Sequence, residues 1–241
     1  MNLLILDAGH SFSTAGKRNE KENFYEWEFN NDMQYKIKAR CEDLGIKVFL
    51  TNPNPQSVSD LPLTTRANLA NEYWIKNNKC KAIFISIHAN AFSNSNTRGT
   101  ETYIASNASS ASKNFAKVLN DNIVKAIKEL DINAKDRGVK SENFTVIYKA
   151  SMPSVLFEYG FYSNLDDLKI LKNNQNELTE ATVKAICNYF NIEYKEKNNK
   201  AEFDGNLYAV CVGAYKDRNK ADAIVEELKK KGYTSTYLII R

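Results

Sequence analysis

The stretch Ala82–Phe92, AIFISIHANAF, runs a series of strand-forming residues into a histidine and then into small and amide side chains. Its β-branched and aromatic content reads as a strand, and His88 stands at the end of it. A strand end suits a functional side chain because the sheet fixes the backbone while the side chain emerges at the rim, where loops leave room for a ligand. The chain has only 2 histidines. The other, His10, closes the apolar run LLILDAGH in the same way. If these two strand ends meet, they make a site.

Outward from that strand, Leu3 to Asp7 reads as a buried strand followed by the polar loop GHSFSTAGKRNEKEN. A helix from about Tyr25 places Phe29, Met33, Ile37, Cys41 and Leu44 on one stripe, with Gly45 as its stop. IKVFL is a strand, TNPNPQSVSDLP a loop, and Thr64 to about Lys76 a helix that buries Ala67, Ala70 and Trp74. GTETYI is a further strand. Ser109 or Ser110 caps a long helix with Phe115, Leu119, Ile123 and Ile127 at four-residue intervals. FTVIY and SVLFEYG read as two more strands, and helices follow over about Leu165–Lys172 and Leu178–Phe190. Strands alternating with helices predict a three-layer α/β fold for residues 1–192. The polar, charged run after Phe190 reads as a linker over 193–205. Residues 206–241 repeat the grammar as a small β-α-β unit, LYAVCVGAY, a helix with Ala221, Ile224, Val225 and Leu228, and TSTYLII, with too little chain for a comfortable core.

A length of 241 residues accommodates one sizeable core and an appendage, and 43% hydrophobic with 26% charged residues is ordinary for a globular protein. A net charge of +4 is too small to support nucleic-acid binding. The 4 cysteines form no CxxC pair and read as free thiols. No segment approaches a membrane span, and the first residues lack a secretory leader, so an extracytoplasmic role would need lysis or another export route. GHSFSTAGK resembles a phosphate loop, but the spacing from Gly9 to Gly16 is too long and Arg18 stands where Ser or Thr should meet magnesium. Nucleotide binding is rejected.

Taken singly, each histidine could be a hydrogen-bonded structural residue; as the pair at equivalent strand ends they point to a shared zinc site. Catalytic zinc takes three protein ligands and an open position, so two histidines need a carboxylate. Glu20, Glu22, Glu26 and Glu28 are candidates. At about 100° per residue, Glu26 continues the buried stripe of its helix, whereas Glu28 points away. Glu158, in SVLFEYGF, is a carboxylate after an apolar run at a strand end, costly unless it has a partner or a task. Desolvation there raises a carboxyl pKa and fits it for proton transfer; a buried ion pair is the other reading.

The motifs LLILDAGHS, EWEFN, ISIHANA and VLFEYGFYSN, in this order, with LTTRANLAN and DRGVK, resemble the zinc-dependent N-acetylmuramoyl-L-alanine amidases of the Amidase_3 type, found in bacterial autolysins and phage endolysins. The resemblance covers about residues 1–192. It implies a twisted, mostly parallel sheet with helices on both faces, His10, Glu26 and His88 as zinc ligands, Glu158 as the catalytic carboxylate, and peptidoglycan as substrate. Ser11 departs from the glycine common after the first histidine, and Glu20 and Glu22 lie close enough to remain alternatives to Glu26. The implied reaction is hydrolysis of the amide between the lactyl group of N-acetylmuramic acid and L-alanine. A zinc peptidase or a non-catalytic wall-binding protein would share the residues named. The tail resembles half of a sporulation-related (SPOR) repeat, a peptidoglycan-binding module, and half a module predicts a homodimer through residues 206–241.

Overall fold

The structure is a computed structural model that describes residues 1–56, 59–196 and 217–230. In chain order it contains β1 (Asn2–Ala8), β2 (Arg18–Asn19), β3 (Phe24–Tyr25), α1 (Glu26–Asp43), β4 (Lys47–Leu50), α2 (Leu63–Lys76), β5 (Lys81–Asn90), β6 (Thr100–Ile104) and α3 (Ser110–Leu130). β7 (Asp136–Ser141), α4 (Thr145–Tyr148), β8 (Ser154–Phe161), α5 (Leu165–Asn173), α6 (Gln175–Phe190) and α7 (Arg218–Lys230) follow.

Six strands form one sheet in the order β4-β1-β5-β8-β6-β7. β4, β1, β5 and β8 run parallel, β6 is antiparallel to β8, and β7 is parallel to β6. The C-terminal ends of β1, β5 and β8 therefore share one rim with the starts of β6 and β7.

The two-residue side-chain period of a strand decides what each face buries. Leu4, Leu6, Ile83, Ile85, Ile87, Val155 and Phe157 face a core completed by Phe29, Met33 and Ile37 of α1, Phe115 and Leu119 of α3, Leu168 of α5 and Leu178 of α6. Leu3, Ile5, Ala82, Phe84 and Leu156 face the other side, against Ala70 of α2 and Val146 and Ile147 of α4. Helices thus cover both faces of a mostly parallel sheet, the fold class expected from the alternation. Both faces being covered is why β1, β5 and β8 are written as nearly continuous apolar runs.

The helix signals locate their elements closely. Ser109 caps α3 by accepting a bond from the Ser112 amide, and α1 ends at Gly45, whose φ of +75 suits glycine. FTVIY is not a strand. Its residues 145–148 form one helical turn, with bonds from the Ile147 and Tyr148 amides to the Phe144 carbonyl at 3.1 and 2.9 Å. Adjacent Val146 and Ile147 are both buried, which a turn allows against one partner and a half-covered strand does not. The strand that takes this place is the polar DRGVKS of β7, an edge strand paired only with β6.

The chain divides into two compact units, Met1–Lys197 and Asn198–Arg241. In the first, the path beyond Phe190 stays docked. Ile192 and Tyr194 pack on the core, the Tyr194 hydroxyl donates to Glu180 at 2.6 Å, and Arg40 donates to the Lys195 carbonyl at 2.8 Å. In the second, α7 lies where the sequence predicts a helix. The two strands expected beside it, and the dimer surface built from them, lie outside the described residues. Among the described residues no helix is long and apolar enough to cross a membrane.

Candidate active site

Asp7 and the turn after β1 are held by a network of buried polar groups. Arg66 of α2, 1% exposed, pairs with Asp7 at 3.0 Å, and Asp7 also accepts from Thr51 at 2.6 Å and Ser86 at 2.9 Å. Beyond Asp7 the carbonyls of residues 8, 9 and 10 are each caught by a side chain. Asn52 donates to Ala8 and His10 at 2.9 and 3.1 Å, Asn30 to Gly9 at 3.0 Å, and Arg66 to Ala8 and His10. This grip holds His10 at a φ of 66, a backbone conformation unfavourable to a residue with a side chain.

The result is a meeting of both histidines on one carboxylate. Glu26 opens α1 and is 1% exposed. Its Oε1 lies 3.2 Å from His10 Nε2 and 3.0 Å from His88 Nδ1, and accepts from the Ala89 amide at 3.3 Å. The imidazole rings stand edge to face, centroids 4.9 Å apart. Glu28 is exposed, and Glu20 is exposed and paired with Arg18 at 2.8 Å. Of the four candidate carboxylates, Glu26 is the one gathered with both histidines. β5 continues two residues past His88, and its pairing with β8 shifts between His88 and Asn90.

The electrostatics suit a metal ion. Burial pushes the Glu26 carboxyl up, but the bonds to His10 and His88 outweigh it and bring the pKa down to about 2. Burial lowers the His88 pKa against the opposing pull of Glu26. An ionised carboxylate and a neutral imidazole are the ligand states that zinc requires. Glu26 Oε2, buried, has no hydrogen-bond partner among the described residues, and the three donor atoms lie within 4.8 Å of one another. Donors on a tetrahedral zinc with bonds of about 2.0–2.1 Å stand about 3.3 Å apart, close to the two separations from Glu26. The residues fit the metal.

Glu158 stands on β8 opposite His88. Its Oε2 is buried with no partner among the described residues. Burial, then the charges of Glu26 and Glu101, raise its pKa well above the ordinary carboxylate value, with Lys17 opposing. No cation pairs with it among the described residues, so the ion-pair reading fails. A carboxyl whose proton is held more tightly than usual is suited to accept and give up a proton in catalysis.

Glu101, at the same rim, is a residue that sequence reasoning does not single out. Glu101 of β6 faces Glu158 across the sheet and accepts from Asn90 at 2.7 Å, Tyr103 at 2.8 Å, Arg137 at 2.5 Å and Lys140. Burial pushes its pKa up, but Lys140, Arg137 and Tyr103 hold it below the usual value. Its signal was the one that exposed Glu158, a carboxylate inside a strand run, here GTETYI.

Residues 4–188 match the family described as N-acetylmuramoyl-L-alanine amidase, Amidase_3. Over 232 residues the chain is 25% identical to the N-acetylmuramoyl-L-alanine amidase CwlM of Bacillus licheniformis, covering 95% of this chain and 82% of that protein. It is 37% identical to the endolysin of Bacillus phage SPP1 over 123 residues, 50% of this chain and 45% of the endolysin. The catalytic domain of CwlV, an N-acetylmuramoyl-L-alanine amidase from Bacillus (Paenibacillus) polymyxa var. colistinus, superposes with a TM-score of 0.67 at 31% identity, over 80% of this chain and all of that one. An N-acetylmuramoyl-L-alanine amidase from Clostridium difficile 630 does so with 0.66 at 28%, over 78% of this chain and 96% of the other. With the family matched across most of its length, the chain belongs to the Amidase_3 N-acetylmuramoyl-L-alanine amidases.

Proposed function

We propose that this amidase is zinc-dependent, that His10, Glu26 and His88 hold the ion, and that Glu158 moves the proton as the lactyl–L-alanine amide of peptidoglycan is hydrolysed. The observation that carries the reading is the Glu26 carboxylate set between two histidines, with Glu158, whose buried Oε2 has no partner among the described residues, opposite His88 on the same rim. When bound, zinc supplies Lewis-acid chemistry, polarising a carbonyl and acidifying a water molecule. Glu158 takes the proton of the attacking water and passes one to the leaving amine, for which its raised pKa prepares it. Arg66, Asn52 and Asn30 keep the His10 turn in place while this happens. From the pattern of residues 206–241, we further propose that the tail is a wall-binding half module that pairs with a second copy.

The test is product analysis on purified cell wall. New amino termini of L-alanine beside intact muramic acid support the amidase; new termini elsewhere in the stem peptide would identify a peptidase. Glu158→Gln should lower hydrolysis by about 100- to 10,000-fold while about one zinc per chain remains bound. Activity within a few-fold of wild type would remove Glu158 from the mechanism.

A further inference from the structure

Glu101 gathers more positive charge than it needs. It is 2% exposed, and two cations, Arg137 and Lys140, share its Oε2 while Asn90 and Tyr103 occupy its Oε1. One anion against two cations leaves a positive charge over, at the rim where Glu158 stands. Arg137 commits only Nε to this contact. Its Nη1 and Nη2 make no hydrogen bond among the described residues, and its side chain is 34% exposed.

The backbone is shaped to aim that side chain. Thr100 pairs with Asp136 and Thr102 with Val139, so β7 fits one extra residue opposite Glu101. The extra step falls at Arg137 and Gly138, and Gly138 takes a φ of 72. Such bulges recur beside active sites, where they redirect a side chain. The guanidinium is then held from two sides, by Glu101 and by the Phe161 ring, 5.0 Å from its centroid. A planar fork fixed in this way, with neither terminal nitrogen bonded among the described residues, is matched to a carboxylate and has already lost much of the freedom that binding would cost.

We propose that Arg137, backed by Lys140, is a carboxylate subsite that seats an anionic group of the stem peptide on the leaving side of the scissile bond. This rests on the amidase reading, because the substrate's chemistry supplies the direction. The lactyl carboxyl is consumed in the amide, and the N-acetylated sugars are neutral, so the carboxylates near the bond belong to the peptide. An enzyme with this fork discriminates against peptides whose carboxylates are amidated, since an amide cannot accept the paired, charge-assisted bonds.

The test uses the full chain with zinc and two soluble muramoyl-peptide fragments, identical except that one carries free peptide carboxylates and the other carboxamides. The wild type should show a KM on the order of tenfold lower for the free carboxylates. Arg137→Gln should raise that KM to the amidated level, with the loss falling in KM. Arg137→Lys, which keeps the charge on Glu101 without the fork, should recover part of the preference. Equal KM values in the wild type would overturn the subsite alone and need no variant to fold. A loss in kcat shared equally by both fragments, with the preference kept, would also overturn it. A wild type that cleaves neither fragment, while degrading cell wall at another bond, would overturn the amidase reading and the subsite with it.

Discussion

Gly9 has no side chain, and the space is filled by a ring. A Cβ there would fall 2.1 Å from His88 Cε1, so the glycine is what lets the second histidine lie against the turn that carries the first. The next residue, His10, is bent into a conformation that costs an L-residue about 1–2 kcal/mol, offset by the bonds that Asn52 and Arg66 give its carbonyl. Two neighbouring residues thus solve one problem, bringing imidazoles from two strands onto Glu26. Gly9→Ala should displace His88 and weaken zinc binding by on the order of 10- to 100-fold, the scale of losses when the groups around a metal ligand are disturbed. Titration calorimetry with zinc reads this directly, and an affinity equal to wild type would show that the ring can move aside at no cost.

At the scale of elements, α2 is fastened to β1 by charge as well as by packing. Arg66 and Asp7 are each 1% exposed, and removing one partner of a buried pair strands the other. Arg66→Met should therefore lower the unfolding free energy by about 3–5 kcal/mol, measurable by urea denaturation. A loss under about 1 kcal/mol would mean that water replaces the guanidinium. β6 and β7 are joined in a related way through Glu101. Its pKa is held below 4.5 in the fold, and a depressed acid contributes stability that is present above its unfolded pKa and lost as pH falls through the folded one. The stability advantage of wild type over Glu101→Gln should be full at pH 7 and shrink below about pH 4.5. A difference constant with pH would assign Glu101 a role of shape alone.

At the scale of the whole molecule, the first unit closes on itself through the contacts of Tyr194 and Lys195 with α1 and α6. A chain cut after Glu196 should keep the thermal midpoint and the zinc stoichiometry of the full protein's catalytic unit. If the tail pairs with a second copy, sedimentation should find a dimer for the full chain and a monomer for the cut one. Pairing would attach two enzymes to one wall-binding module and raise their effective concentration on the polymer. A monomeric full chain, or a dimeric truncation, would show that residues 206–241 do not associate the protein.

How much of this could be read from residues alone differs with the range of the interaction. Apolar runs for strands covered on both faces, four-residue stripes for helices and the serine and glycine stops are local signals, so β1, β5, β8, α1 and α3 are legible one at a time. The two histidines, Glu26 on its helix face and Glu158 after its apolar run are legible for the same reason: each is an expensive or unusual side chain in its own segment. The sequence by itself determined the alternation of elements, and with it the α/β class. The assignment of FTVIY and DRGVKS needed tertiary structure, because a short apolar segment folds as its partners allow and an edge strand carries no apolar rhythm to betray it. The grip on the His10 turn, the bulge that aims Arg137 and the gathering of cations on Glu101 were likewise decided only in three dimensions. The grip joins residues 21 to 58 positions apart, the cations lie 36 and 39 positions from Glu101, and the bulge pairs two strands; no local pattern encodes which distant polar group will complete a buried one.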